Sequence, residues 1–187
     1  MDNLGYSFCT FNNYAPQGIS SALSSINEIK NTPVILCIGS DLVLGDSLGP
    51  LIGTLLVKKK INAYVYGTLS SPITAKEVNY AKDYLKFTHP NSTIIAIDAA
   101  VGNLEDIGVV RVLKKGIKPG LGVNKNLKTV GDISIIGIVA EKSQNNYKLL
   151  NATRLNLIYS MAEDVANGIE TYLNLHNLKP KRAKKVI

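Results

Sequence analysis

Residues 33–38, Pro33-Val34-Ile35-Leu36-Cys37-Ile38, form a short, β-branched and uninterrupted apolar run. Such a run predicts a parallel strand covered on both faces rather than an alternating surface strand. Residues 48–57 follow with the pattern of an apolar helix, Ser47 standing as its N-cap and Pro50 in its first turn. Residues 63–68 predict a second strand, and residues 74–87 a helix with Ala75, Val78, Ala81, Tyr84 and Leu85 at helical spacing. Thr93-Ile94-Ile95-Ala96-Ile97 predicts a third, buried strand ended by Asp98. Residues 109–113 predict a further strand, placed near a sheet edge by Arg111 and by the Lys114-Lys115-Gly116 that follows. A glycine-rich loop spans 118–125, residues 133–139 predict another buried strand, and a last helix begins near Asn151. That helix puts Leu155, Ile158, Ala162, Val165, Ile169 and Leu173 on one stripe. Residues 1–16 read as irregular and residues 19–29 as a short helix. Strands alternating with helices predict an α/β protein, a three-layer α/β/α sandwich on a mostly parallel sheet. The expected organisation is a leader over 1–30, one domain over 31–178 and a basic tail over 179–187.

Composition narrows this picture little. With 45% hydrophobic and 19% charged residues over 187 positions, the chain has ordinary globular content and enough apolar side chains for one sizeable core. The net charge of +7 changes meaning once it is located: Lys179, Lys181, Arg182, Lys184 and Lys185 supply five of the seven charges. The excess is a solvated tail, and no zinc-finger, helix-turn-helix or aromatic-basic pattern accompanies it, so no specific nucleic acid is expected as a partner. Cys9 and Cys37 lack metal-ligand spacing, and Cys37 sits inside the first buried strand as a small apolar side chain. No apolar run approaches membrane-spanning length and no signal-peptide pattern opens the chain, so a cytoplasmic protein without a membrane partner is expected.

The candidate chemistry lies where the apolar strands stop. In open α/β sheets the ligand crevice lies outside the carboxyl ends of the strands. Ile38-Gly39-Ser40-Asp41-Leu42-Val43-Leu44-Gly45-Asp46 leaves the first strand and carries Asp41 and Asp46, while Asp98 follows the third. Two carboxylates brought within a few ångström cannot both ionise easily, so they share a proton; one then serves as base toward water and the other as acid. Histidine does not compete for this role: His89 precedes Pro90 in a connecting loop and His176 lies near the end of the last helix, which leaves no support for a histidine-based triad or a histidine-rich zinc site. Gly39, Gly45 and Gly49 are too widely spaced for a dinucleotide fingerprint, and the segment from Gly120 to Lys125 lacks the P-loop order. No metal and no cofactor are expected.

Gly45-Asp46-Ser47-Leu48-Gly49-Pro50, Ile97-Asp98-Ala99 and Pro119-Gly120-Leu121-Gly122-Val123-Asn124-Lys125 together resemble the spore germination protease superfamily, and within it the small YyaC-type sporulation branch. Val65-Tyr66-Gly67-Thr68-Leu69, Thr129-Val130-Gly131-Asp132-Ile133 and Asn151-Ala152-Thr153-Arg154-Leu155 extend the likeness over about residues 34–173. The resemblance implies a phosphorylase/hydrolase-like fold, catalytic aspartates at Asp46 and Asp98, and expression in a sporulating cell. The related hydrogenase-maturation proteases use a carboxylate pair with a histidine to sense nickel; this chain has Thr129 at the position corresponding to that histidine.

The reading that follows is a metal-independent endopeptidase acting in sporulation, in which Asp46 and Asp98 activate water. Asp41, Gly122, Asn124 and Lys125 are the expected substrate-binding residues. The expected partner is a protein or peptide substrate, by family analogy a small acid-soluble spore protein. A non-catalytic sporulation factor binding a partner through the same crevice, and a small-molecule hydrolase, are the alternatives.

Overall fold

A computed structural model describes residues 5–26, 29, 31–119, 129–142 and 150–176. Six strands, β1 (Gly5–Cys9), β2 (Val34–Cys37), β3 (Tyr64–Tyr66), β4 (Ile94–Gly102), β5 (Val109–Leu113) and β6 (Ile133–Glu141), form one sheet in the order β1-β5-β6-β4-β2-β3. β3, β2, β4 and β6 run parallel, and β5 runs against its neighbours β6 and β1. Among the described residues four helices cover the sheet: α1 (Ala15–Ile26), α2 (Leu48–Lys58), α3 (Val78–Thr88) and α4 (Leu155–Leu175).

The predicted three-layer arrangement follows from how β2 and β4 divide their side chains. Ile35, Cys37, Ile95 and Ile97 join the cluster built with α1, α2 and α4, whereas Val34, Leu36, Ile94 and Ala96 join Val78, Ala81 and Leu85 of α3 on the opposite face. Strand alternation thus gives every second residue to each layer, and burial on both sides explains why residues 34–37 and 94–97 carry no charged side chain. On α4, Ile158, Ala162, Val165, Ile169 and Leu173 are buried as the stripe requires, but Leu155 is 62% exposed at the helix start. No helix among the described residues is long and apolar enough to cross a membrane.

Several elements differ from the sequence expectation. The segment read as irregular holds β1, which pairs with β5 from Gly5↔Leu113 to Cys9↔Val109 and takes the sheet edge that Arg111 had suggested for residues 109–113. Arg111 is accommodated in an interior strand by its ion pair with Asp106 at 2.9 Å. α1 begins earlier than expected, and its Ile19, Ala22, Leu23 and Ile26 are core residues. α3 starts at Val78 rather than Thr74, and Tyr84 faces outward. Ser47 precedes α2 but makes no cap, since its Oγ donates to the Leu44 carbonyl at 2.6 Å. β4 does not end at Asp98: β6 goes on pairing with it to Gly102↔Glu141.

Candidate active site

The sheet changes winding direction between β2 and β4. From β2 the chain passes through α2 to β3 on one side, and from β4 it passes to β5 and β6 on the other. The end of β2 beside β4 is therefore a topological switch point, where open α/β sheets place their ligand crevice. β2 pairs with β4 as far as Cys37↔Ile97, and the Ile38 N–H donates to the Ile97 carbonyl at 2.8 Å. Asp98 is the next residue, so it sits at the place where β4 loses β2 as a neighbour.

Asp46 reaches the same crevice on a 3-10 turn, Leu44–Ser47, inserted between β2 and α2. Close backbone passage holds this turn. Gly39 has φ +143°, and a Cβ there would stand 2.0 Å from the Asp46 main-chain oxygen. The Ser40 N–H donates to that oxygen at 3.1 Å, closing the loop on itself. Gly49 lies in the first turn of α2 directly over β2, where a Cβ would meet the Ile38 carbonyl oxygen at 2.1 Å. The sequence placed Gly39 in the loop leaving the first strand and Gly49 in the helix that follows; their use in bringing Asp46 onto the strand end was not legible, because it depends on distances between separate segments.

The two carboxyl groups feel each other. Burial pushes Asp98 well above the usual carboxylate range, the negative charge of Asp46 pushes it further, and the Ala99 N–H, donating to Oδ1 at 2.9 Å, offsets only part of this. Asp46 is also raised by burial, with partial relief from the Ser40 backbone N–H. Asp98 is buried and Asp46 half-buried. Of the two, Asp98 is thus the carboxyl that holds its proton more strongly, and Asp46 the one that ionises first. In coupled sites the protons belong to the pair, so this is an order of preference rather than two independent titrations.

A stability consequence follows from Asp98. Its folded-state value lies above its unfolded one, so the folded protein holds the proton over a pH range in which the unfolded chain has released it. Stability is then full below the ordinary carboxylate value of about 3.9 and declines as pH rises toward the folded value. Asp98→Asn removes that decline. The gap in melting temperature between Asp98→Asn and the parent should widen in the variant's favour between pH 4 and pH 7; a gap that does not change with pH would contradict the assignment.

Of the other expected site residues, Asp41 is on the same loop as Asp46 but exposed at its surface, beside a turn in which the Ser40 Oγ accepts the Leu42 N–H at 3.2 Å. Gly122, Asn124 and Lys125 lie outside the described residues, as do residues 179–187. Thr129 is exposed, and its carbonyl accepts the Lys82 Nζ at 2.6 Å. Neither histidine belongs to the crevice: His89 meets the Tyr66 hydroxyl at 2.7 Å and stacks on Tyr64, while His176 meets the Ser24 hydroxyl at 3.0 Å. Among the described residues no group of three or more His, Cys, Asp or Glu side chains is arranged to hold a metal ion.

Residues 10–168 match the family described as Protein of unknown function (DUF1256). The Uncharacterized protein YyaC of Bacillus subtilis (strain 168) is 39% identical over 148 residues, covering 78% of this chain and 72% of the relative. Among solved structures, the [NiFe] hydrogenase maturation protease HycI from Thermococcus kodakarensis KOD1 aligns with a TM-score of 0.48 at 18% identity, over 81% of this chain and 98% of that one.

Proposed function

The chain belongs to the family described as Protein of unknown function (DUF1256), and on that premise we propose that it is an aspartate-dependent endopeptidase acting on a protein or peptide in a sporulating cell. The feature that carries the reading is the pair itself: a buried Asp98 carboxyl whose proton affinity is raised by burial and by the charge of Asp46, at the point where β4 runs on past the end of β2. Carboxyl pairs whose environments separate their proton affinities are the arrangement that supplies an acid and a base at one pH. Ionised Asp46 takes a proton from water as its oxygen attacks the scissile carbonyl carbon, while Asp98 gives its proton to the carbonyl oxygen. The resulting diol collapses when Asp46 passes its proton to the amide nitrogen and Asp98 recovers one from a diol hydroxyl. The amine leaves, and both carboxyls return to their starting states. The resemblance to the germination protease superfamily supports a small acid-soluble spore protein as the substrate, with Asn124 and Lys125 near it.

The test is incubation of the purified chain with a spore-protein extract, with products identified by mass spectrometry. New peptide termini should arise with the parent protein and be absent with Asp46→Asn. Equal cleavage by both, or none by either, would overturn the reading. No step uses a bound metal, so dialysis against a chelator should leave the cleavage rate unchanged; loss of activity restored by a divalent ion would instead show a metal-dependent hydrolysis.

A further inference from the structure

We propose that the edge of β4 beyond Asp98, residues 99–102, takes up the substrate as an added strand, holding an extended polypeptide by its main chain; the inference rests on the peptidase reading and names its substrate class. β2 accompanies β4 only to Cys37↔Ile97 and closes with the Ile38 N–H on the Ile97 carbonyl at 2.8 Å. Gly39, at φ +143°, then takes the chain out of the strand, its N–H turned to the Ile73 carbonyl at 2.9 Å. Among the described residues, β4 runs on to Gly102 with β6 on one side and no strand on the other.

Two hydrogen bonds fix which way the main chain of this stretch faces. Successive residues of a strand direct their N–H and C=O groups to opposite edges. The Ile97 carbonyl faces β2, and the Gly102 carbonyl faces the β6 side, where it accepts the Lys142 N–H at 2.7 Å. Asp98, Ala100 and Gly102 therefore bond toward β6, while Ala99 and Val101 face the side that β2 has left. The register shift at Ala100/Val101 leaves this count intact, because the extra residue, Val139, belongs to β6. The Ala99 N–H is taken by Asp98 Oδ1 at 2.9 Å. The Ala99 carbonyl, the Val101 N–H and the Val101 carbonyl meet no partner among the described residues.

An open strand edge is ordinarily blunted by charge or proline. Ala99-Ala100-Val101-Gly102 has neither, and its small side chains leave the main chain within reach. The Ala99 and Val101 side chains pack against the core cluster of α1, α2 and α4, so the strand is anchored while these residues stay partly exposed. A donor and two acceptors in this order fit the main chain of an extended peptide, which offers N–H and C=O groups at the same two-residue repeat. Position points the same way. Val101 lies three residues past Asp98, about 10 Å at 3.3 Å per residue, so a strand paired there leads its next residues to the aspartates. A segment already locked in a fold has no free main chain to pair, so the substrate is unfolded or locally extended chain.

The experiment uses the full-length Asp46→Asn protein, labelled with ¹⁵N and unable to turn over its ligand, and ten-residue peptides tiled along a small acid-soluble spore protein. The tightest-binding peptide should move the Val101 amide proton downfield as it gains an acceptor, and should leave the Ala100 amide, already bonded to β6, nearly in place. N-methylation of that peptide, one amide at a time, should weaken binding about five-fold at two positions two residues apart, those that donate to the Ala99 and Val101 carbonyls, and little at the position between. In the protein, Val101→Pro removes a donor that the fold does not use and should bind about five-fold weaker with a near-parental melting curve, whereas Ala100→Pro loses a bond to β6 and should melt lower. The N-methyl series leaves the protein unaltered, so it decides the matter even where Val101→Pro melts low. A bound peptide that leaves Val101 unmoved, losses without the two-residue repeat, or no binding by any peptide would overturn the added strand. Cleavage by the parent without the repeat removes the strand pairing alone; the repeat without any cleavage removes the peptidase reading and leaves a peptide-binding edge.

Discussion

Asp46→Asn and Asp98→Asn should each lower peptide turnover by about 10²–10⁴-fold, the range contributed by one positioned acid or base. The double variant should be little worse than either single one, because groups that act as a unit lose their joint contribution when either is removed. Neither substitution should unfold the protein: asparagine has the shape of aspartate, and its Oδ1 can still accept the Ala99 N–H that Asp98 accepts at 2.9 Å. The pH dependence of turnover in the parent should be bell-shaped. Activity falls on the acid side as Asp46 gains a proton, and on the alkaline side as Asp98 loses one. Steady-state rates on a cleaved spore-derived peptide, taken with circular dichroism melts, check this. Independent, multiplicative losses in the double variant would mean that the two carboxyls act separately.

Gly49→Ala should destabilise the fold by at least about 2 kcal/mol, within the range found for overpacking a filled site. Within an exposed helix, glycine to alanine is stabilising by about 1 kcal/mol, because glycine loses more backbone freedom on folding. At Gly49 the added methyl would lie 2.1 Å from the Ile38 carbonyl oxygen and 2.9 Å from the Ile38 nitrogen. Both obstacles are main chain of the strand exit, so α2 must lift from β2. The Leu44–Ser47 turn is joined directly to that helix, and Asp46 would move with it away from Asp98. Urea unfolding should show the lost stability, and turnover at a temperature where the variant is still folded should fall as well. A Gly49→Ala protein as stable as the parent would contradict the close approach described.

The parts of the fold legible in the sequence are those whose local pattern and tertiary environment agree. Residues 34–38 and 94–97 are apolar without interruption because both faces of β2 and β4 are covered, and that pattern needs no knowledge of neighbours. The placement of Asp46 and Asp98 at one sheet edge follows from the same fact. β1 was missed although Tyr6 and Phe8 alternate with Gly5, Ser7 and Cys9 at the period of a half-buried strand; the run is only five residues long, and pairing with β5 completes it. Asp98-Ala99-Ala100 looks like the end of a strand since the β-branched run stops there, yet β6 sustains the ladder for four more residues. Arg111 suggested an edge because charges are common there, but an ion pair with Asp106 serves equally well in an interior strand. Gly122, Asn124 and Lys125, the expected substrate-side residues, fall outside the described structure.

The central claim is that Asp46 and Asp98 hold one proton between them, and carbon-detected NMR of the side-chain carboxyls across a pH titration tests it most directly. In the parent protein Asp98 should remain protonated well above the ordinary carboxylate range, after Asp46 has begun to ionise. In Asp46→Asn the Asp98 midpoint should fall, because the neighbouring negative charge is gone, yet remain above the ordinary value because burial persists. An Asp98 carboxyl that titrates in the ordinary range, or whose midpoint is untouched by Asp46→Asn, would contradict the shared-proton pair and the peptidase mechanism built on it.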